Sequence, residues 1–216
     1  MLRRDIPLNY RNITGVASSV KDTAPTAFES PLERDFIELL RFDVLSIASY
    51  HTQMPVIFYT EGGKKRRYTP DVFVKYEDGR QVMYEVKPRE VIKNNWLTLK
   101  PKFKQAIRYG KEHGYSFRIV TEVEIRTPYL KNVKFLSSFK RPDGYDPRYK
   151  DLVEALRMLE TSTPTELTKS IVKSKSEQAV LLHTLWRLVA DNIVGVDLSE
   201  PLTMDSPIWY RLEGDC

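Results

Sequence analysis

The sequence contains few residues that could form a disulfide or a metal site built from sulfur and nitrogen. Its single cysteine is Cys216, and its three histidines lie far apart, without the spacing of metal ligands, at His51, His113 and His183. We therefore expect neither an intrachain disulfide nor a zinc site made of cysteine or histidine. If the protein uses a metal ion, carboxylate oxygens must bind it, which favours Mg²⁺, with Mn²⁺ as a substitute.

Long hydrophobic runs are also missing. No window approaches the roughly 18 consecutive apolar residues that a membrane span needs. Residues 1–5 lack the apolar stretch of a secretory signal. Hydrophobic residues make up 41% of the chain and charged residues 29%, which is ordinary for a soluble protein with a buried core. We therefore expect a cytoplasmic protein that does not contact a membrane.

Positive charge is concentrated in the first two thirds of the chain. Residues 1–146 contain 26 Lys+Arg against 18 Asp+Glu, whereas residues 147–216 contain 8 against 11. A basic excess of this size often indicates a polyanionic partner, nucleic acid above all. Solubilising lysines spread over a surface would produce the same count. Charge alone leaves both interpretations open.

One segment has the composition of a linker. It reads "SSFKRPDGYDP", residues 137–147, and its Ser, Pro, Gly and Asp content is typical of an exposed loop. We place the domain boundary there. The chain is thus predicted to have an N-terminal extension over residues 1–27, a first domain over residues 28–146 and a second domain over residues 147–216.

Hydrophobic periodicity in the first domain predicts a helix, several strands, a second helix and a last strand. "ESPLERDFIELLRFD" has helical spacing, with Ser30 as its cap and Pro31 in its first turn. An antiparallel meander is predicted for "VLSIASY", "PVIFYT", "YTPDVFVKY" and "QVMYEVK", with turns at "EGGKKR" and "EDGR". The helix "KPKFKQAIRYGKEHG", with Phe103, Ala106, Ile107 and Gly110 on one face, leads to the strand "YSFRIVTE". This crossover makes the last strand parallel to the one before the helix, so the predicted class is α/β with a mixed sheet.

The second domain is predicted to be mainly helical. Its three helical patterns are "RYKDLVEALRMLE", "TPTELTKSI" and "KSEQAVLLHTLWRLVADN". Two short strands are then predicted in "IVGVDLSEPL" and "SPIWYRL". Three helices followed by a β-hairpin are the layout of a winged helix-turn-helix, so we expect a winged-helix-like C-terminal domain.

Charged residues in "RYTPDVFVKYEDGRQVMYEVKP", residues 67–88, are the main candidates for chemistry. Residues i and i+2 of a strand share a face, so Glu85 and Lys87 point the same way. If the apolar faces of both strands cover one core, the hairpin brings Asp71 opposite the end of the partner strand that carries Glu85 and Lys87. A solvated ion pair on the sheet surface is the alternative. Aspartate is disfavoured in strands, however, and Pro70 removes a ladder donor, which are costs that a function would explain.

Glu33 is a third candidate carboxylate, and it has two interpretations. On a helical wheel it falls inside the apolar arc of the first helix, whereas Asp35 falls outside. The four residues from Ser30 to Glu33 also fit a capping box, in which Glu33 only reaches back to the Ser30 backbone. With the charged hairpin residues nearby, we interpret Glu33 as a metal ligand.

Three carboxylates and one lysine suit metal-assisted phosphodiester hydrolysis. The carboxylates would hold one or two divalent ions that polarise the phosphate, activate water and neutralise the leaving oxygen. The lysine would orient or help to deprotonate the attacking water and offset charge on the phosphate.

The order of these motifs resembles that of TnsA, the endonuclease subunit of heteromeric bacterial transposons. Pro70-Asp71, thirteen further residues and Glu85-Val86-Lys87 match the PD-(D/E)xK nuclease signature. Glu33 matches the glutamate on the preceding helix in that superfamily. Over residues 28–127 the segments that resemble the family follow in order: "ESPLERDFIELLRFD", "SYHTQMPVIFY", "RYTPDVFV", "YEVKP" and "YSFRIVTEVEIR".

The resemblance implies a restriction-endonuclease-like core and a set of roles. Glu33, Asp71 and Glu85 would bind the metal ion, and all three would act in catalysis together with Lys87. The substrate implied is double-stranded DNA at transposon ends, cut on its 5′ strands in the bacterial cytoplasm. The partners implied are a TnsB-like DDE transposase, which cuts the 3′ strands, and a TnsC-like AAA+ ATPase regulator.

Charge suggests how the chain would divide its contacts. The basic run Lys64, Lys65, Arg66 and Arg67 is a candidate DNA contact, with a solvated hairpin turn as the alternative. Because residues 147–216 are net acidic, we expect this tail to dock a protein partner rather than to contact phosphate tightly.

Two other functions remain open from the sequence. A restriction-type or junction-resolving nuclease would cut DNA without a transposase. A non-catalytic DNA-binding regulator would keep the nuclease fold without its activity. An inactive site, however, has no physical need for three converging carboxylates.

Overall fold

The structure is a computed structural model that describes residues 15–17, 26–43, 45–141 and 144–211. Most of the predicted N-terminal extension, two residues of the predicted linker and Cys216 lie outside these ranges. The chain divides between Arg126 and Thr127 into two compact units. No helix in the described ranges combines the length and the apolar character needed to cross a membrane.

The first unit contains both helices and strands. Its strands are β1 (Gly15–Ala17), β2 (Thr26–Phe28), β3 (Ile47–Thr52), β4 (Ile57–Glu61), β5 (Lys64–Tyr68), β6 (Val72–Tyr76), β7 (Gln81–Val86) and β8 (Ser116–Val120). Its helices are α1 (Pro31–Phe42), α2 (Arg89–Asn94), α3 (Trp96–His113) and α4 (Glu122–Ile125).

The second unit is mainly helical, as predicted. Its helices are α5 (Pro128–Ser137), α6 (Tyr149–Leu159), α7 (Pro164–Ile171) and α8 (Lys175–Ala190). Its strands are β9 (Thr161–Ser162), β10 (Val194–Val196) and β11 (Ile208–Tyr210).

The main sheet of the first unit is mixed, with strand order β3-β6-β7-β8. β6 pairs antiparallel with β3 and with β7, whereas β8 lies parallel to β7. Helices α2 and α3 join the two parallel strands. This confirms the predicted mixed sheet and the predicted crossover, which a strand–helix–strand succession produces.

The predicted four-stranded meander is wrong. β4 and β5 form a separate two-stranded ribbon, and β3 pairs directly with β6. The ribbon turns at Gly62 and Gly63, whose φ angles of 55° and 74° favour glycine. Lys64–Tyr68 is therefore a strand, whereas residues 64–66 were predicted to belong to the turn and Tyr68 to the next strand. Thr69 and Pro70 separate β5 from β6, because proline cannot donate to a ladder.

Helix α1 packs its apolar face on β7. As predicted, Ser30 caps the helix and Pro31 lies in its first turn. The Phe36 ring lies 5.1 Å from the ring of Tyr84. This contact places the helix that carries Glu33 against the strand that carries Glu85.

Asp35 differs from the helical-wheel prediction, which placed it outside the buried arc. Its exposed fraction is 4%, because the helix has a second covered side. There the Nε of Arg126, just after α4, donates to Asp35 Oδ2 at 3.0 Å. A buried carboxylate is tolerated where a charged donor pairs with it.

Helix α3 begins earlier than predicted and ends where predicted, at Gly114, whose φ is 75°. Ile107, predicted to lie on the buried face, is 46% exposed. The face that packs on the sheet consists of Leu99, Phe103, Ala106 and Gly110.

The N-terminal residues also contain regular structure that the sequence did not predict. At the predicted N-terminal extension and the residue after it, β1 pairs antiparallel with β2, and Gly15 lies opposite Phe28. Strands this short have little periodicity, so a sequence pattern cannot detect them.

In the second unit, α6, α7 and α8 are followed by the antiparallel hairpin β10–β11, in the predicted order. The short strand β9, which was not predicted, pairs with β11 to give a sheet of order β10-β11-β9. The fully buried core of this unit includes Leu152, Leu156, Leu167, Leu181, Leu185 and Ile208.

The second unit begins at Thr127, well before the predicted boundary, because α5 belongs to it. The Phe135 ring of α5 packs edge-on against Trp186 of α8 at 5.6 Å. The Asn132 amide donates to the carbonyl of Leu198 at 2.9 Å. Counted from Thr127, the unit holds 12 Lys+Arg against 13 Asp+Glu, so it is nearly neutral rather than clearly acidic.

Candidate active site

The β6–β7 hairpin brings Asp71 and Glu85 together. The strand register pairs Val72 with Tyr84, which puts Asp71, one residue before β6, across from Glu85. The Oδ2 of Asp71 accepts the backbone N–H of Val86 at 2.7 Å. The structure thus has the arrangement that strand alternation and the Asp-Gly turn predicted.

Both carboxylate oxygens of Glu85 have hydrogen-bond donors. Oε2 accepts from the Tyr68 hydroxyl at 2.6 Å. Oε1 lies 3.1 Å from the ammonium of Lys87 and 3.1 Å from that of Lys102. Since Glu85 is 1% exposed, these three groups replace the water that its charge would otherwise require.

Sequence reasoning missed Tyr68 and Lys102. Lys102 directly precedes Phe103 of the buried face of α3, and its ammonium lies 5.0 Å from the centre of the Tyr68 ring. The available signal was the position of Lys102 beside an apolar stripe. That signal does not say which end of the sheet the helix covers, so it could not connect Lys102 to Glu85.

Glu33 is buried, with 7% exposure, and its oxygens face the start of α1. Oε2 accepts the backbone N–H of Glu29 at 2.8 Å, and Oε1 accepts the Ser30 hydroxyl at 3.0 Å. The geometry is close to the capping alternative, except that the backbone donor belongs to Glu29 rather than to Ser30. The role of Glu33 as a metal ligand stays a prediction.

The three carboxylates share one poorly solvated region. Burial raises the pKa of Asp71 well above its usual range, and the charges of Glu85 and Glu33 raise it further. Burial also raises the pKa of Glu33. For Lys87, burial lowers the pKa, but the charges of Glu85 and Asp71 outweigh burial and the net result is a raised pKa. The charges of Glu85 and Glu33 thus act on Asp71 in addition to its burial.

Asp71, Glu85 and Lys87 line one cavity of about 250 Å³. Glu33 does not line it, although its charge acts on Asp71. The remaining lining residues are Glu29, Arg67, Tyr68, Thr69 and Lys102. The cavity thus combines carboxylates with several cations, which suits a substrate that carries phosphate groups.

As the side chains stand, no group of three or more His, Cys, Asp or Glu in the described ranges could hold a metal ion. The reason is that the oxygens of Glu33 face the helix start, and those of Glu85 face Tyr68 and two lysines. The donor chemistry nevertheless fits Mg²⁺, because Asp71 and Glu85 offer hard carboxylate oxygens that line one cavity.

Two family models match the chain. One, described as TnsA-like endonuclease N terminal, matches residues 43–122, and the other, described as TnsA endonuclease C terminal, matches residues 124–198. The chain belongs to the TnsA endonuclease family. A comparison with curated protein sequences found no match.

Membership of the TnsA family makes the chain an endonuclease subunit of a transposase. Asp71, Glu85 and Lys87 lie inside the first match, whereas Glu33 precedes it. The junction of the two matches lies close to the structural division after Arg126.

Proposed function

We propose that the cavity around Asp71, Glu85 and Lys87 is the active site of a Mg²⁺-dependent endonuclease that cuts the 5′ strands at transposon ends. The observation that carries the proposal is the pair of buried carboxylates facing each other across one hairpin, with the Lys87 ammonium 3.1 Å from Glu85, in a TnsA chain. When bound, Mg²⁺ or Mn²⁺ would supply Lewis-acid activation of the phosphate.

Asp71 and Glu85 would hold the metal ion, with Glu33 as the third ligand. Because the side chain of Glu33 hydrogen-bonds at the start of α1, it would exchange these contacts for the ion. The Ser30 hydroxyl would still accept the Glu33 backbone N–H, so the helix would keep its cap.

Lys87 stays an ammonium at neutral pH, because its pKa is raised. It therefore donates hydrogen bonds to the phosphate or to the attacking water, and it offsets the charge that develops on the phosphate. While the neighbouring carboxylates are ionised, Lys87 is a poor general base.

In this proposal the two units have different tasks. The first unit holds DNA through the cavity and through cations of the basic run of residues 64–67. The second unit, which we assign as winged-helix-like from its three helices and hairpin, docks a TnsB-like DDE transposase, and a TnsC-like AAA+ regulator completes the complex in the bacterial cytoplasm. The nearly neutral charge of the second unit suits a protein partner better than a phosphate backbone.

The Asp71→Ala variant tests the proposal. In the assembled transposase with Mg²⁺ and labelled end DNA, we expect 5′-strand cleavage to fall to background, while the variant chain stays folded and still assembles with the transposase. Asp78→Ala, which removes an exposed carboxylate from the turn of the same hairpin, should cleave normally. Cleavage that survives Asp71→Ala would refute the assignment. Full cleavage without any transposase would favour the restriction-type alternative.

A further inference from the structure

The β4–β5 ribbon has two faces of different character. Its strands pair in register, and alternate residues of a strand face opposite sides, so each cross-strand pair belongs to one face. The inner face contains the pairs Ile57–Tyr68, Tyr59–Arg66 and Glu61–Lys64, and the outer face contains the pairs Phe58–Arg67 and Thr60–Lys65.

The inner face anchors the ribbon. Ile57 and Tyr68 are 3% and 5% exposed and belong to the core cluster, and Tyr59 packs against that cluster. Further along the same face, Arg66 Nε lies 3.7 Å from Glu61 Oε2, so one inner cation is already paired. The orientation of the ribbon is therefore set by the core and not by solvent.

The outer face presents an aromatic ring between cations. Phe58 is 66% exposed and lies directly opposite Arg67, and Lys65 follows on the same face toward the turn. Neither Lys65 nor Arg67 forms an ion pair with a residue that the structure describes. Arg67 also lines the cavity that contains Asp71, so this face continues into the active site.

These features match the requirements of a DNA duplex. A two-stranded ribbon fits the major groove, which is about 12 Å wide. Unpaired cations meet backbone phosphates, and apolar rings such as phenylalanine contact sugars and bases. A strand of five residues spans roughly 17 Å, enough to follow a groove away from the cavity.

We infer that Phe58, Lys65 and Arg67 on the outer face of the ribbon contact the DNA duplex beside the active-site cavity, and that Lys64 and Arg66 do not. The inference rests on the proposed function and divides the basic run of residues 64–67 by strand face. The cations of the outer face bind phosphate, whereas on the inner face Arg66 pairs with Glu61 and Lys64 lies across from Glu61 in the strand register.

Two double variants with the same change of charge test the division. The outer-face variant is Lys65→Gln with Arg67→Gln, and the inner-face variant is Lys64→Gln with Arg66→Gln. The full chain is titrated at increasing salt, with Ca²⁺ in place of Mg²⁺, against a fluorescently labelled duplex of random sequence. A random sequence suffices, because phosphate contacts do not depend on the bases.

We expect the outer-face variant to lower the slope of log affinity against log salt by about 2, close to 0.9 for each lost phosphate contact. The inner-face variant should keep the slope of the unaltered chain. Phe58→Ala should weaken binding without changing the slope, because the ring carries no charge. Equal loss in both double variants, an unchanged slope in the outer-face variant, or no measurable binding by the unaltered chain at low salt would overturn the inference.

The proposed function is tested separately by cleavage. Suppose that Asp71→Ala still cleaved end DNA while the outer-face variant showed a lower slope of log affinity against log salt. The proposed active site would then be wrong, whereas the inferred DNA contact of the outer face would remain supported. Thermal unfolding of each ribbon variant confirms that the substitutions at the exposed positions 58 and 64–67 leave the fold intact.

Discussion

Replacing Tyr68 by phenylalanine removes one hydrogen bond from the centre of the site and almost nothing else. The hydroxyl donates to Glu85 Oε2 at 2.6 Å, and the ring lies 6.4 Å from Phe103 and 6.5 Å from Phe117. Phenylalanine keeps the ring in these contacts and leaves a space of one oxygen atom. Burial and the charge of Glu85 raise the pKa of Tyr68, so its hydroxyl is a donor at neutral pH.

The expected loss follows from the burial of the acceptor. A hydrogen bond to a charged group contributes about 1.5–3 kcal/mol. Glu85 is 1% exposed, so water does not replace the lost donor on Oε2, while Lys87 and Lys102 continue to bind Oε1. We therefore expect Tyr68→Phe to lower the free energy of unfolding of the first unit by about 2 kcal/mol.

Urea unfolding in EDTA, followed by hydrogen exchange of peptides from β6 and β7, measures this loss. Peptides from the second unit provide an internal reference. Tyr59→Phe is the matched control, because Tyr59 lies on the same ribbon face and its hydroxyl has no hydrogen bond to any residue described. A loss below about 0.5 kcal/mol for Tyr68→Phe, or an equal loss for Tyr59→Phe, would refute the argument.

Two further predictions concern stability. Because the pKa of Asp71 is raised on folding, the folded chain binds this proton more tightly than the unfolded chain, and metal-free stability falls as the pH rises above the usual value of 3.8. Asp71→Asn should flatten this fall and raise the melting temperature at neutral pH in EDTA, as calorimetry would measure; a steeper fall would contradict the prediction. A Cβ at Gly110 would clash with the backbone carbonyl of Tyr115, so Gly110→Ala should cost about 1–2 kcal/mol net of its gain in helix propensity. Lys111→Ala, at an exposed position of the same helix, is the control in urea titration. Equal urea midpoints for Gly110→Ala and Lys111→Ala would show that the backbone adjusts freely and would contradict the prediction.

Local patterns were sufficient to find the centre of the site. The period of two along a strand determines which side chains share a face, and Asp78-Gly79 determines the turn that brings the strands together. These two local rules place Asp71, Glu85 and Lys87 in one patch without any knowledge of distant contacts. Ser30 and Pro31 likewise marked the start of α1, because cap chemistry depends only on adjacent residues.

Other features depended on which distant segments pack together. Strand alternation could not show that β3 pairs with β6 and leaves β4–β5 as a ribbon, because each strand offers the same backbone donors to several neighbours. The composition of residues 137–147 placed the boundary after the segment that forms α5, whereas in the structure α5 packs against α8 of the second unit.

The sequence by itself determined the candidate carboxylates, the lysine beside them and the mixed α/β class, since these follow from residue type and short-range spacing. Only the tertiary structure decided that Tyr68 and Lys102 hold Glu85, and that Glu33 hydrogen-bonds at its own helix start. It also showed that alternate cations of the basic run lie on opposite faces of a ribbon. The physical reason is that a buried charge takes its partners from whatever the packing brings within about 3 Å, and packing joins residues that no local period connects.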